Sequence, residues 1–192
     1  MVYSVAGEVR HKSTNFAVIE VGGLGLKILM SKRTLTSLPA VGGNAKIFNH
    51  LHVREDALEL YGFPSEAELN LFEMLISVSG VGPKSALGIL DIAELRELTA
   101  AIKAGRPDLL TRASGIGSKT AERIVLELKT KVAGGDPADS VQKMESDADL
   151  LETLVSLGYR RETAKTALQK VEASVIKLED RLKEALKILN KK

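Results

Sequence analysis

The sequence predicts a multidomain α+β protein with a β-rich first third, a helical middle and a helical tail. Three observations support this prediction. Short runs rich in Val, Ile and Leu alternate with turn residues up to about position 62, and apolar residues recur at helical spacing beyond it. A polar stretch at 132–147 has no periodicity. These changes predict domains at 1–63, 64–132 and 147–192, with a linker at 133–146, which is a reasonable division for 192 residues.

The first domain reads as five strands. Five strands within about sixty residues favour a small closed barrel of the OB kind, because closure removes the unpaired edges of the sheet. A sandwich fragment or an SH3-like barrel is the alternative. The runs are VYSVAGEVR, NFAVIEV, GLKILM, AKIFNHLHV and ALELYGF.

The remaining residues predict helices. Ser65 begins a capping box with Glu68, which predicts a helix to about Val78. Helical spacing then continues to Val132, interrupted by two glycine elements and by 105–107. The linker contains GGDP and few apolar residues, so we expect it to be flexible. The tail has three amphipathic stretches, at 147–157, 161–171 and 175–189, which at this length must share one core.

Composition excludes several functions. The absence of Cys excludes disulfides and thiolate nucleophiles, and the 4% aromatic content disfavours a stacking platform for single-stranded bases. The histidines, His11, His50 and His52, lack a third ligand nearby in sequence, so we expect no metal and no cofactor. The N-terminus does not resemble a signal peptide and no segment could span a bilayer, so we expect a cytoplasmic protein without a membrane partner.

One element occurs twice in the chain. SGVGPKSA at 79–86 returns as SGIGSKTA at 114–121, with five of the eight residues identical. In each copy a Gly-apolar-Gly turn precedes the start of a helix, where unpaired N–H groups and the helix dipole favour an anion. The lysine of each copy adds a cation, and Arg123 follows Lys119 by one helical turn. We interpret the pair as two sequence-independent phosphate sites that grip both strands of a duplex.

Other interpretations of the repeat are weaker. The glycines could serve only for close helix packing, although two copies with the same spacing favour phosphate binding. A P-loop requires Gly directly before the Lys, whereas Pro83 and Ser118 stand there. The strongest rival is a DNA glycosylase with Asp136 as its catalytic carboxylate, but this residue lies in the predicted linker, with no aromatic pocket for a flipped base. A scaffold whose hairpins bind protein is a further alternative.

The whole chain resembles the RuvA family, the Holliday-junction-binding subunits of the bacterial branch-migration complex. The resemblance implies an OB-fold barrel, a tandem helix-hairpin-helix domain, a flexible linker and a three-helix, UBA-like C-terminal domain. It implies a subunit that is not an enzyme on its own, holds four-way junctions open and planar, and targets the RuvB ATPase in DNA recombination, DNA repair and the SOS response to DNA damage. It is carried by HVREDALELYGF (52–63), SGVGPKSALGIL (79–90), SGIGSKTAERIVLELK (114–129) and LVSLGY (154–159).

The resemblance also implies roles for individual residues. Glu55 and Asp56 match an acidic pin, and four such turns in a homotetramer would repel phosphates at the junction centre. RuvB contacts would be Leu154, Leu157, Tyr159 and Leu186, although core packing competes for each. The implied partners are four-way junction DNA, the RuvB ATPase, the RuvC resolvase and further copies of the chain, in one tetramer or two. The implied phosphate contacts are Gly80, Val81, Gly82, Lys84, Gly115, Ile116, Gly117, Ser118, Lys119 and Arg123.

Overall fold

The fold is described by a computed structural model that covers residues 2–132, 137–171 and 178–190, with side chains in the second range from residue 147 onward. The chain divides into two compact units, Met1–Gly135 and Asp136–Lys192. No helix among the described residues is both long enough and apolar enough to cross a membrane.

The N-terminal strands form a closed barrel, which confirms the predicted OB-type fold. The strands pair in the order β1-β2-β3-β5-β4, and β1 closes the barrel by pairing with β4. All neighbours are antiparallel except β3 and β5, which run parallel. The strands are β1 (Ser4–Lys12), β2 (Phe16–Val21), β3 (Leu24–Leu29), β4 (Asn44–Val53) and β5 (Leu58–Phe63).

The barrel is filled by the apolar side chains that alternate along its strands. Val9, Ile19 and Ile28 are fully buried, whereas their neighbours in sequence are more exposed. A short helix, α1 (Lys32–Ser37), connects β3 with β4 and was not predicted from the sequence. It begins because the Ser31 hydroxyl accepts a hydrogen bond from the Thr34 amide at 3.1 Å, although only two of its side chains are buried.

Five helices follow the barrel, in the part of the chain where the spacing of apolar residues predicts helical structure. The break between the second and third of them, at 91–94, was not predicted. Ser65 caps the first of them by accepting from the Glu68 amide at 3.2 Å. The predicted interruption at 105–107 is confirmed, because Gly105 ends one helix with φ 73° and Pro107 begins the next. The helices are α2 (Glu66–Ser77), α3 (Pro83–Leu90), α4 (Leu95–Ala104), α5 (Pro107–Leu110) and α6 (Ser118–Leu128).

An aromatic cluster fastens the helices to the barrel. Phe72 of α2 is completely buried, and its ring centroid lies 4.7 Å from that of Phe63 and 5.4 Å from that of Tyr61, both on β5. His50 of β4 packs against the same ring and its Nδ1 lies 3.0 Å from a carboxylate oxygen of Glu73. The boundary predicted at 63/64 therefore separates the barrel from the helices within one compact unit.

The C-terminal unit contains the three predicted helices, α7 (Pro137–Ser156), α8 (Arg161–Gln169) and α9 (Leu178–Asn190). They share a core around Leu150, Leu154 and Leu168. The first helix begins earlier than predicted, because Pro137 suits the first helical position and the residues after it include several helix formers. Residues 137–146 of the predicted linker are thus helical, and 133–136 lie outside the described residues.

Candidate nucleic-acid interface

The two copies of the repeated element have the same backbone conformation. In each copy a β-turn places glycine at its third position with positive φ, 89° at Gly80 and 82° at Gly115. Residues with a Cβ rarely adopt this backbone conformation, which explains why both copies have glycine there. The second glycines are extended and also agree closely, with φ −87° and ψ 168° at Gly82 and φ −87° and ψ 169° at Gly117.

Each turn leads directly into a helix whose first amides lie beside solvent-exposed glycines. Gly82 is the N-cap of α3 and Gly117 is the N-cap of α6, and neither cap makes a side-chain hydrogen bond. The first amides of a helix have no partner within it, so they can bind an anion. The copies differ at the first helical residue, because Pro83 has no amide hydrogen whereas Ser118 has one.

The apolar residue of each turn anchors it and does not offer a donor. Val81 and Ile116 are both 5% exposed, as the sequence predicts for inward-facing residues. Their amides donate within the turns, to the Val78 carbonyl at 3.0 Å and to the Ala113 carbonyl at 3.2 Å. The amides of both residues are therefore engaged within the turns, which the two residues help to fix, and a phosphate contact by either stays a prediction that these hydrogen bonds do not favour.

The basic residues of the repeat lie on the exposed side of the helices. Lys84, Lys119 and Arg123 are all exposed. Arg123 also makes a contact that the sequence did not predict, since its guanidinium donates to the Ser79 carbonyl of the other copy at 2.9 Å. The two residues are 44 positions apart, so no local pattern could have identified this pair.

Not every basic residue near the second copy is available to a ligand. Arg106 donates two hydrogen bonds to Asp108, at 2.9 Å and 2.7 Å. This hydrogen bonding lowers the pKa of the Asp108 carboxyl, so the pair stays ionised and its charges cancel. With this pair set aside, residues 106–131 contain five basic and two acidic side chains, so this part of the chain keeps an excess of positive charge that includes Lys119 and Arg123.

A groove joins the first turn to the barrel. Burial raises the pKa of Tyr61, so its hydroxyl remains protonated and donates to Glu59 at 2.8 Å. Arg54, on the barrel side, and Lys84, on the helical side, both line this groove. The groove is lined on the barrel side by His52, Arg54, Glu59 and Tyr61, and on the helical side by Gly82, Pro83, Lys84 and Ser85.

The predicted acidic residues form the tip of the β4–β5 hairpin. Arg54 and Ala57 pair through both of their backbone hydrogen bonds, at 2.9 Å and 3.4 Å, which leaves Glu55 and Asp56 as a two-residue loop. Both acidic residues are exposed. The Arg54 guanidinium lies 3.2 Å from Asp56, so the tip has one negative charge in excess.

The predicted motor-binding residues of the tail differ in exposure. Leu154 is completely buried in the core of the C-terminal unit, so core packing accounts for it and its RuvB contact stays a prediction without an exposed surface. Tyr159 and Leu186 are half-buried and pack against that core. Leu157, next to Gly158 with φ 93°, is 59% exposed and is the member of this set that a partner could contact most freely.

The structure gives no support to the residues that a glycosylase or a metal site would need. Asp136, the carboxylate required by the glycosylase interpretation, lies outside the described residues. Among the residues that the structure describes, no group of three or more His, Asp or Glu side chains could hold a metal ion. His50 and His52 instead pack with the aromatic residues of the barrel.

Comparison with known proteins covers almost the whole chain. Residues 1–62 match the RuvA N-terminal domain, 72–130 match a SAM-like helix-hairpin-helix tandem, and 147–190 match the RuvA C-terminal domain. The chain is 40% identical to the Holliday junction branch migration complex subunit RuvA of Dehalococcoides mccartyi over 194 residues, covering 100% of both chains. It is also 40% identical to the subunits of the same name from Caldanaerobacter subterraneus and from a Geobacter species, again over 100% of each chain.

Proposed function

The chain belongs to the RuvA family, and on that premise we propose that it is the DNA-binding subunit of a Holliday junction branch-migration complex. It recognises four-way junctions by their structure and charge, holds their arms and targets the RuvB ATPase to them. It supplies no catalytic residue of its own, so the energy of branch migration comes from the partner.

The observation that carries this proposal is the equality of the two turns. Both copies have the same glycine conformations, and each leads into a helix start with an exposed lysine. They therefore present two similar anion sites. Amide donors and lysines bind phosphate without reading base edges, so the sites suit the backbones of any duplex. We assign phosphate binding to the amides of Gly80, Gly82, Gly115 and Gly117, to those at the starts of the helices that follow, and to the side chains of Lys84, Lys119 and Arg123.

The acidic hairpin fits the centre of such a complex. Four subunits around a fourfold axis would bring four copies of Glu55 and Asp56 together where the arms meet. Because like charges at close range repel, these carboxylates would exclude continuous duplex and favour separated strands. The groove from Lys84 to Arg54 connects the first phosphate site with the base of this hairpin, which supports one continuous DNA surface.

The remaining partners follow from the family. We propose a homotetramer, with one or two tetramers on a junction, that acts in the cytoplasm and can share the junction with the RuvC resolvase. The exposed Leu157 is the best candidate for the RuvB contact. Replacing Leu157 by Ala should weaken RuvB recruitment in a pull-down while leaving junction binding unchanged, and a loss of both would argue against a separate motor-binding unit.

A gel-shift assay tests the central proposal. Equal lengths of four-way junction and linear duplex are compared for the wild type and for the Lys119→Ala/Arg123→Ala double variant at two salt concentrations. We expect a strong preference for the junction, weaker binding by the variant and a shallower salt dependence, by about 0.9 in the logarithmic slope for each phosphate that the variant no longer neutralises. Equal affinity for both DNAs, or no effect of the double variant, would refute the proposal.

A further inference from the structure

We propose that Arg123 is a positioning residue for the first phosphate site, in addition to any contact that it makes with DNA on its own helix. The inference rests on the proposed function, because it concerns how one of the two sites is held ready for a phosphate. The contact that carries it is the hydrogen bond from the Arg123 guanidinium on α6 to the Ser79 carbonyl at 2.9 Å.

This bond acts on the central peptide of the first turn. The Val81 amide donates to the Val78 carbonyl at 3.0 Å, so Val78 and Val81 end the turn and the peptide between Ser79 and Gly80 lies at its centre. In a trans peptide the C=O and N–H groups point in opposite directions, and none of the described peptide bonds is cis. By holding the Ser79 carbonyl, Arg123 therefore fixes the direction of the Gly80 amide.

The repeat explains why an arginine is needed at this position. Counting thirty-five residues from Ser79 gives Ser114, and counting thirty-five from Gly88 gives Arg123. A Cβ on Gly88 would lie only 3.4 Å from the Ser114 carbonyl oxygen, so the second turn packs directly against α3. At the equivalent contact the first turn is reached by the long side chain of Arg123.

The two contacts are thus related by the repeat but differ in kind. The second turn lies beside the Gly88 backbone with space for little more than a Cβ between them, whereas the first is contacted by one side chain from the other copy. A guanidinium has five donors, so Arg123 can hold Ser79 and still bind a phosphate. Removing Arg123 should consequently impair both sites, whereas removing Lys119 should impair only its own.

Double-mutant cycles on junction affinity separate these possibilities. One cycle combines Arg123→Ala with Lys84→Ala, which is in the first site, and the matched control cycle combines Lys119→Ala with Lys84→Ala. We expect Lys84→Ala alone to weaken binding by about tenfold, and by about threefold or less once Arg123 is absent. In the control cycle the two effects should multiply, because the sites act independently.

Hydrogen exchange of the free protein gives a second measurement that does not depend on DNA. In Arg123→Ala the peptide containing residues 79–82 should exchange faster than in the wild type, and in Lys119→Ala it should not change. Effects that multiply in both cycles, or unchanged exchange in Arg123→Ala, would overturn the inference and leave the proposed function intact. If Lys84→Ala and Lys119→Ala alone leave junction affinity unchanged, the proposed function itself fails.

Discussion

Adding a single methyl group at Gly82 and Gly117 should abolish tight DNA binding without destabilising the protein. Both residues have φ −87°, which alanine adopts without strain, and a Cβ at either position meets no atom within 4 Å. Alanine lowers the conformational entropy of the unfolded chain, which stabilises the folded protein by about 0.4–1 kcal/mol. The poorer N-capping of the helix by alanine should roughly cancel this gain. We therefore expect the free energy of unfolding to change by less than about 0.5 kcal/mol.

The effect on binding is expected to be much larger. If a phosphate sits on the amides beside these glycines, the new methyl groups push it out by about 1 Å, beyond the usual range of an N–H···O hydrogen bond. Removing one charge-assisted hydrogen bond costs about 1.5–3 kcal/mol, which corresponds to a decrease in affinity of about 10- to 140-fold for each site.

The assay is junction binding by fluorescence anisotropy, together with thermal unfolding of the same samples. Gly42→Ala is the control for lost stability, because Gly42 lies in the turn before β4 with φ 95° and a Cβ there meets no atom within 4 Å. This variant should lose about 1–2 kcal/mol of stability and bind DNA normally. Wild-type affinity in a correctly folded Gly82→Ala/Gly117→Ala variant would refute a close approach of the backbone to phosphate.

Three further predictions concern other parts of the chain. Glu55→Gln/Asp56→Asn should leave junction affinity unchanged or higher and alter the rate of branch migration, and a decrease in affinity would contradict a repulsive tip. Arg181→Ala breaks a pair with Asp147 at 2.7 Å in which the arginine is 4% exposed, so the C-terminal unit should lose about 2 kcal/mol in thermal unfolding, with unchanged DNA binding. Burial raises the pKa of Glu68 above its ordinary value of 4.5, so the wild type should lose stability as the pH rises from about 4.5 through the pKa of the folded state. Glu68→Gln should remove that decrease, and a pH-independent wild type would contradict it.

Much of the fold could be predicted because its signals are local. The strands of the barrel follow from alternating apolar residues, and the two turns follow from a repeat of eight residues. The short helix α1 was missed because it buries only Thr34 and Leu35 and therefore has almost no apolar periodicity. The early start of α7 was missed because a Gly- and Pro-containing segment resembles a linker until Pro137 is recognised as a first helical residue.

The site was predicted less completely, because parts of it depend on contacts between distant residues. The glycines and lysines of the repeat could be identified from their spacing. The role of Val81 and Ile116 could not, since whether an amide is free depends on the conformation of its turn. Leu154 and Leu157 are three positions apart in sequence, yet the first is buried and the second is 59% exposed, which depends on where α8 and α9 pack.

Pro83 makes the two proposed phosphate sites unequal. The DNA strand bound at the second site can accept a hydrogen bond from the Ser118 amide. The strand bound at the first site cannot do the same, because Pro83 has no amide hydrogen. Because the two strands of a duplex are antiparallel, unequal binding of the two strands would give the protein–DNA contact a direction along the helix axis. On the proposed function, an arm pulled outward would then meet a different resistance from an arm pulled inward, and Pro83 would be the source of the difference.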